Sequence, residues 1–398
     1  MMKLKKLISA TLLIAGTSIG AGMLGIPLVT ASSGFIPSLI LTFVVWLFMY
    51  ATGLLFLEAT LWMHDGANVL SMTNKFYKRK GKILAGITFV FLYYCLMVAY
   101  FSGGAPLLSF FLEFFLNIKI SSFVSILAFG VIFGTIVGFG IKLVDRVNYI
   151  LMIGLILSYF ILFFAGAKHI EFSRLKNENW ANIFYAVPIL FSAFGYHNVI
   201  PSLTFHFHRN VKLMRYAIFF GSFIPFLIYI LWQYLILGSV SPDVLNSSLK
   251  TGSPYDTLKA VSNVSWISYV ARFFGFFAII TSMLGVSFSV VDFLGDGLNF
   301  KRVGKDRVFL CLLTFVPPLI LTLLDPSIFI IALGVAGGFG EAILNGVLPA
   351  LLVWKGRYKY NLNSHKFLFG GKFLLIIILL GAIAVTGIEI LHILKLKN

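Results

Sequence analysis

The sequence predicts an all-α integral membrane protein with eleven transmembrane helices, set out as two inverted five-helix repeats plus one extra helix. Three observations carry that prediction. Hydrophobic residues make up 59% of the 398, charged residues only 11%, and mean hydropathy is +0.97. Soluble domains carry about 25% charge, and no water-soluble globule can cover this much apolar surface. A disordered chain needs the opposite composition. The second observation is a series of apolar runs, most near the ~20 residues that span a bilayer. The third is the placement of Lys and Arg between those runs.

The first run, 7–31, follows Lys3, Lys5 and Lys6. It is too long for a signal-peptide core and ends without a small-x-small cleavage site, so a retained helix is expected. Runs 35–62, 83–112, 121–140 and 147–167 complete the first repeat, about 7–167. Runs 183–204, 216–238, 265–294, 308–324 and 327–354 form the second, about 183–354. The extra helix is 373–394. Runs 83–112 and 265–294 must tilt or project into the interface. Run 308–324 is the shortest and contains Pro317-Pro318. No soluble domain fits between the runs. The longest outer connection, 239–264, is rich in turn residues and could hold a short amphipathic helix.

With the N-terminus in the cytoplasm, 22 of the 31 Lys and Arg fall on the inner side, eight on the outer side, and Arg272 within a span. Every inner loop obeys the positive-inside bias. An odd number of spans then puts the C-terminus outside. The net charge of +17 is thus read as a topology signal and a contact with anionic headgroups, not as a nucleic-acid surface. Cys95 and Cys311 lie inside apolar runs, and no disulfide framework or zinc site is expected. His206-Phe207-His208 has no acidic partner nearby, so no metal is expected there either.

Two runs are interrupted alike. One reads GTSIGAGMLGIP, Gly16 to Pro27; the other reads SAFGYHNVIP, Ser192 to Pro201. Each has mid-span glycine followed by Ile-Pro, and the two prolines stand 174 residues apart. Glycine and proline weaken a helix. At membrane depth such a break is tolerated only where protein or a cavity surrounds it. Each break opens a set of five runs, and five is odd, so the second set enters from the opposite side. Matching breaks in two halves point to the binding site of a secondary transporter. Gly130/Gly134/Gly138 and Gly334/Gly337/Gly338 read instead as packing glycines.

These residues carry a family resemblance. IAGTSIGAGMLGIP, FGYHNVIP, TSMLGVSFSVVDFLGDGL (Thr281 to Leu298) and GEAILNGVLPALLVW (Gly340 to Trp354) resemble the hydroxy and aromatic amino acid permeases. The tryptophan/tyrosine branch is the most similar, its tyrosine-specific permeases above all. That family sits in the amino acid–polyamine–organocation group. The resemblance implies a leucine-transporter-type fold with discontinuous helices 1 and 6, and proton symport. It implies a plasma-membrane (inner-membrane) carrier of tyrosine first and tryptophan next, with no cofactor.

An amino acid zwitterion needs donors for its carboxylate and acceptors for its ammonium. A half-helix starting near Gly22 aims its dipole and free N–H groups at mid-membrane. Gly20, Ala21, Gly22 and Met23 would form that cradle, with Thr17 and Ser18 adding hydroxyls. Ser192, Phe194, Gly195, Tyr196, His197 and Asn198 would meet the rest of the substrate, Phe194 and Tyr196 by their rings. For ion coupling the candidates are Glu58, Asp292 and Glu341, since carboxylates within spans are expensive and functional by default. Glu389 is discounted as lying outside the repeat near the outer surface. Thr281, Ser282 and Ser289, with carbonyls of the break, could instead hold Na⁺. A sodium-coupled carrier, or one for serine and threonine, stays open. A channel or a membrane enzyme is disfavoured: no pore ring and no hydrolase, zinc or phosphate-binding motif occurs.

Overall fold

Apolar runs with no internal water must satisfy their own backbone, and here they do so as helices. The computed structural model describes residues 2–176, 178–252, 254–262, 264–298, 300–362 and 365–397, and no strand occurs among them. In the first half the helices are α1 (Met2–Ser18), α2 (Ala21–Thr30), α3 (Phe35–Leu61), α4 (Val69–Leu116), α5 (Ser122–Gly138) and α6 (Ile141–Gly166). A short α7 (Phe172–Leu175) leads to α8 (Val187–Ala193), α9 (Ile200–His206) and α10 (Val211–Ser239). Next come α11 (Pro242–Thr251), α12 (Pro254–Lys259), α13 (Ser265–Leu298) and α14 (Gly304–Leu324). Then α15 (Phe329–Val335) runs through a π-helical segment, Ala336–Val347, into α16 (Leu348–Tyr358); α17 is Gly371–Lys397.

Nine helices among the described residues are long and apolar enough to cross a membrane, ten if the bent pair α1–α2 is one crossing. Eleven were expected. The difference is α5, which is apolar but has only 17 residues. The outward surface is apolar in the manner of a lipid-facing one: Ile150, Leu157 and Phe164 on α6 and Leu380 and Ile383 on α17 are all exposed. The connection after α10 holds two short helices, α11 and α12, where one was expected. α4 extends well before its apolar run, to Val69. The Asn68 side chain accepts from the N–H groups of Leu70 and Ser71, which caps the helix. A kink at Lys78, with φ of 57°, separates this inner segment from the crossing.

Glycine, not proline, stands at both interruptions. Gly20 is extended (φ −166°, ψ −152°), and α1 and α2 meet there at 53°. Pro27 lies inside α2, which continues to Thr30. Pro201 sits in the first turn of α9, and Pro188 in the first turn of α8. A first-turn N–H has no helical partner, so proline is at home there. The second break therefore spans residues 194–199, of which His197–Val199 form one 3₁₀ turn.

Candidate functional site

The two interruptions meet. A Cβ at Gly22 would lie 2.8 Å from the Cα of Ala193, so the first turn of α2 rests against the end of α8. A Cβ at Gly20 would overlap the side chain of Ser282 on α13. The Tyr229 hydroxyl, from α10, sits 2.6 Å from the Ser18 carbonyl and 2.7 Å from the Ala193 carbonyl. One O–H thus bridges the C-terminal ends of both broken helices. The Met23 N–H donates to the Gly20 carbonyl, while the N–H groups of Ala21 and Gly22 belong to a first turn that has no intrahelical acceptors.

A cavity of about 610 Å³ opens from this junction. Its deep end holds Gly20, Ala21, Gly22, Ser192, Gly195 and Glu341. Its mouth runs past Leu12, Leu13, Asn68 and Asp296, all exposed, so it opens on the side where the chain begins. At the opposite side the space is filled: Gly25 of α2 packs against Leu333 and Ile189. The wall also carries Phe56, Phe89, Tyr93, Tyr100 and Phe293, none singled out by the sequence, where 43 phenylalanines hide any one. Phe89 and Phe293 stack at 4.1 Å between ring centres.

Glu341 lies in the π-helical segment, 4% exposed, and accepts a hydrogen bond from the Asn345 side chain. Its carboxyl occupies the space a Cβ on Gly195 would fill. No Lys or Arg pairs with it among the described residues. A long π-segment at such a place is unusual, and π-turns concentrate at functional sites. Gly337, read as a packing glycine, does pack: a Cβ there would overlap the Pro188 carbonyl.

Of the expected residues, Thr17, Ser18, Gly20, Ala21, Gly22, Ser192, Gly195, Asn198, Thr281, Ser282, Asp292 and Glu341 line the cavity. Several hydroxyls are already used. Ser192 donates to the Leu333 carbonyl, Thr17 to Ile14, and Thr281 to Phe277. The Ser18 hydroxyl is buried without a partner. The Ser282 hydroxyl reaches the Ile19 carbonyl at 3.5 Å.

Four expected substrate contacts are placed elsewhere. Met23 is fully buried and does not line the cavity. The Phe194 ring packs on Tyr229 at 5.0 Å. The Tyr196 hydroxyl donates to the Met49 carbonyl, and the His197 Nε2 sits 2.9 Å from the Thr52 hydroxyl. The aromatic side chains of this break therefore anchor it to α3 and α10, and do not face the cavity. Glu58 also departs from its expected role. Both its oxygens accept from Arg357 at 2.6 Å, and both residues are buried, so it forms a structural ion pair between α3 and α16. Asp292 pairs with Arg302 at 3.3 Å near the mouth. Arg272 lies over the rings of Phe110 and Tyr269 at 3.8 and 4.9 Å. No group of three or more His, Cys, Asp or Glu able to hold a metal occurs among the described residues.

Sequence comparison decides the family. The tryptophan/tyrosine permease family matches residues 3–389. The chain belongs to that family. It is 34% identical over 392 residues to the tyrosine-specific transport system 1 of Haemophilus influenzae, covering 97% of this chain and 96% of the relative. The tyrosine-specific transport system 2 of the same organism is 31% identical over 395 residues, with the same coverage. Its tryptophan-specific transport protein is 29% identical over 406 residues, again covering 97% and 96%. The chain is a multi-pass membrane permease and not an enzyme.

Proposed function

We propose that this permease imports an aromatic amino acid, tyrosine first and tryptophan next, by proton symport with alternating access. The observation that carries the reading is the cavity at the junction of two interrupted helices, with Glu341 at its deep end. The names of the similar transport proteins support the choice of substrate. The substrate carboxylate sits at the first-turn N–H groups of Ala21 and Gly22, where the helix dipole favours an anion. The ammonium meets the Ser18 and Ala193 carbonyls, whose second lone pairs stay free beside the Tyr229 hydroxyl. The ring lies among Phe56, Phe89, Tyr93 and Phe293, where ring pairing adds about 0.5–1.5 kcal/mol. This replaces the sequence-based placement against Phe194 and Tyr196.

Glu341 carries the proton. A charged carboxylate without a counter-ion at this depth is expensive, so it binds a proton when the cavity faces the acidic side and yields it on the other. Glu58 is committed to Arg357 and takes no part. One proton crossing about 100 mV supplies about 2.3 kcal/mol, or roughly 50-fold accumulation. The present conformation opens toward the N-terminal side, the inward-facing state if that terminus is cytoplasmic and the membrane is the inner one. In this reading α5 is the fourth, short crossing, which restores eleven spans and the 5+5 inverted repeat.

One observation favours a rival ion. The Ser282 hydroxyl and the Ile19 carbonyl lie together at the break, with Thr281 adjacent, as a Na⁺ site would need. Proteoliposomes decide between them. With an inward pH gradient and no Na⁺, labelled tyrosine is expected to accumulate. Glu341→Gln is expected to keep tyrosine exchange but lose accumulation. Accumulation that needs Na⁺ and ignores the pH gradient would overturn the proton assignment.

A further inference from the structure

A second buried carboxyl lies outside the cavity. Glu389, on α17, is 1% exposed, and its Oε2 has no hydrogen-bond partner. Its carboxyl lies on Gly334, where a Cβ would come within 2.8 Å of Oε1, and its stem lies on Gly338. The absence of side chains at these two positions makes the niche. One turn back, the Thr386 hydroxyl donates to the Gly338 carbonyl at 2.7 Å. The sequence placed Glu389 near the surface and discounted it; the structure buries it against the helix that carries Glu341.

Its surroundings lead toward the end of α17 that carries Lys395. His392, one turn on, is partly exposed, and its Nδ1 lies 4.0 Å from Oε2, beyond hydrogen-bond length. The imidazole faces the Tyr185 ring at 5.3 Å, and the Lys395 ammonium lies over the same ring at 5.1 Å. Glu341 is the remaining ionisable group on the packed segment, and its carboxyl is turned toward Gly195. α8, also packed here, contributes only Val187, Pro188, Ile189, Leu190, Phe191, Ser192 and Ala193, none ionisable. α17 begins beside Tyr358, at the mouth end of α16. Eighteen residues later, about 27 Å along a helix, Glu389 lies toward the face opposite the mouth.

We propose that Glu389 and His392 form a second proton-binding site, reached from the face opposite the cavity mouth, that controls how α17 holds the π-helical segment. The proton moves from imidazolium to carboxylate: an N–H bond of His392 breaks, an O–H bond of Glu389 forms, and both groups become neutral. The neutral carboxyl sits in its glycine niche without an unmet charge. The ionised carboxylate has no donor within reach there, so it draws out toward His392 and loosens the contact with Gly334 and Gly338. The half of the molecule closed in this conformation thereby responds to the pH on its own side.

Infrared pH titration of the reconstituted full chain tests the site without relying on any transport reading. Wild-type protein is expected to show a protonated-carboxyl C=O band that Glu389→Gln removes, distinct from the one that Glu341→Gln removes. In vesicles, tyrosine exchange is expected to vary about tenfold with the pH of the face opposite the mouth, and Glu389→Gln to flatten this below about twofold while exchange persists. His392→Gln, at a partly exposed position, is expected to shift the midpoint of that profile. Unchanged carboxyl bands in Glu389→Gln overturn the proposal. So does a wild-type pH profile in His392→Gln, which remains informative if Glu389→Gln fails to insert. Absence of tyrosine exchange in the wild type would instead overturn the substrate assignment and leave the infrared result standing.

Discussion

Tyr229→Phe isolates the contact that ties the two interruptions together. The substitution keeps the ring, and with it the packing on Phe194 at 5.0 Å. It deletes one proton shared between carbonyls 2.6 and 2.7 Å away. A buried hydrogen bond contributes about 0.5–1.5 kcal/mol net, and an orphaned buried acceptor costs about 1–3 kcal/mol. With two acceptors and one donor, about 1–3 kcal/mol is the expected loss from the present conformation. That corresponds to about 5–150-fold in its equilibrium against the alternative state. The assay pairs thermal melting in detergent with labelled-tyrosine exchange in proteoliposomes. Melting is expected to fall and the exchange rate to change by at least about fivefold. Unchanged melting and exchange within about twofold would refute the view that this hydroxyl holds the junction.

The remaining predictions concern Glu58, Arg357 and Gly195. Glu58→Ala strands a buried guanidinium and is expected to cost about 3–5 kcal/mol in stability, while Glu58→Leu with Arg357→Met recovers most of it; folded yield and melting read both. Gly195→Ala drives a Cβ into the Glu341 carboxyl. It is expected to lower proton-driven uptake by at least about tenfold. Glu341→Asp in the same chain, which shortens the side chain by one methylene, is expected to restore part of the uptake.

The interruptions were legible because their cause is local. Glycine without a Cβ and proline without an N–H leave their mark on any helix, and Gly20 and Gly195 do sit at breaks. Which residue breaks the helix was less legible, since Pro27 is accommodated within α2 and Pro201 within the first turn of α9. Side-chain direction was not legible. Phe194, Tyr196 and His197 share a break with Gly195, yet tertiary partners on α3 and α10 turn them away from the cavity. The partner of Glu58 lies 299 residues on, beyond any periodicity. Tyr229 reads as one more aromatic in an apolar run, and only the approach of two distant carbonyls gives it a role. The span count turned on α5, an apolar helix of 17 residues at the lower limit of a crossing.

The most direct measurement is an electron cryo-microscopy map of the protein in lipid nanodiscs with tyrosine bound. The account predicts density in the cavity with the carboxylate about 3 Å from the N–H groups of Ala21 and Gly22, the ammonium at the Ser18 and Ala193 carbonyls, and the ring among Phe56, Phe89, Tyr93 and Phe293. Tyrosine bound away from both interruptions, or a continuous helix through Gly20 and Gly195 in the bound state, would contradict it.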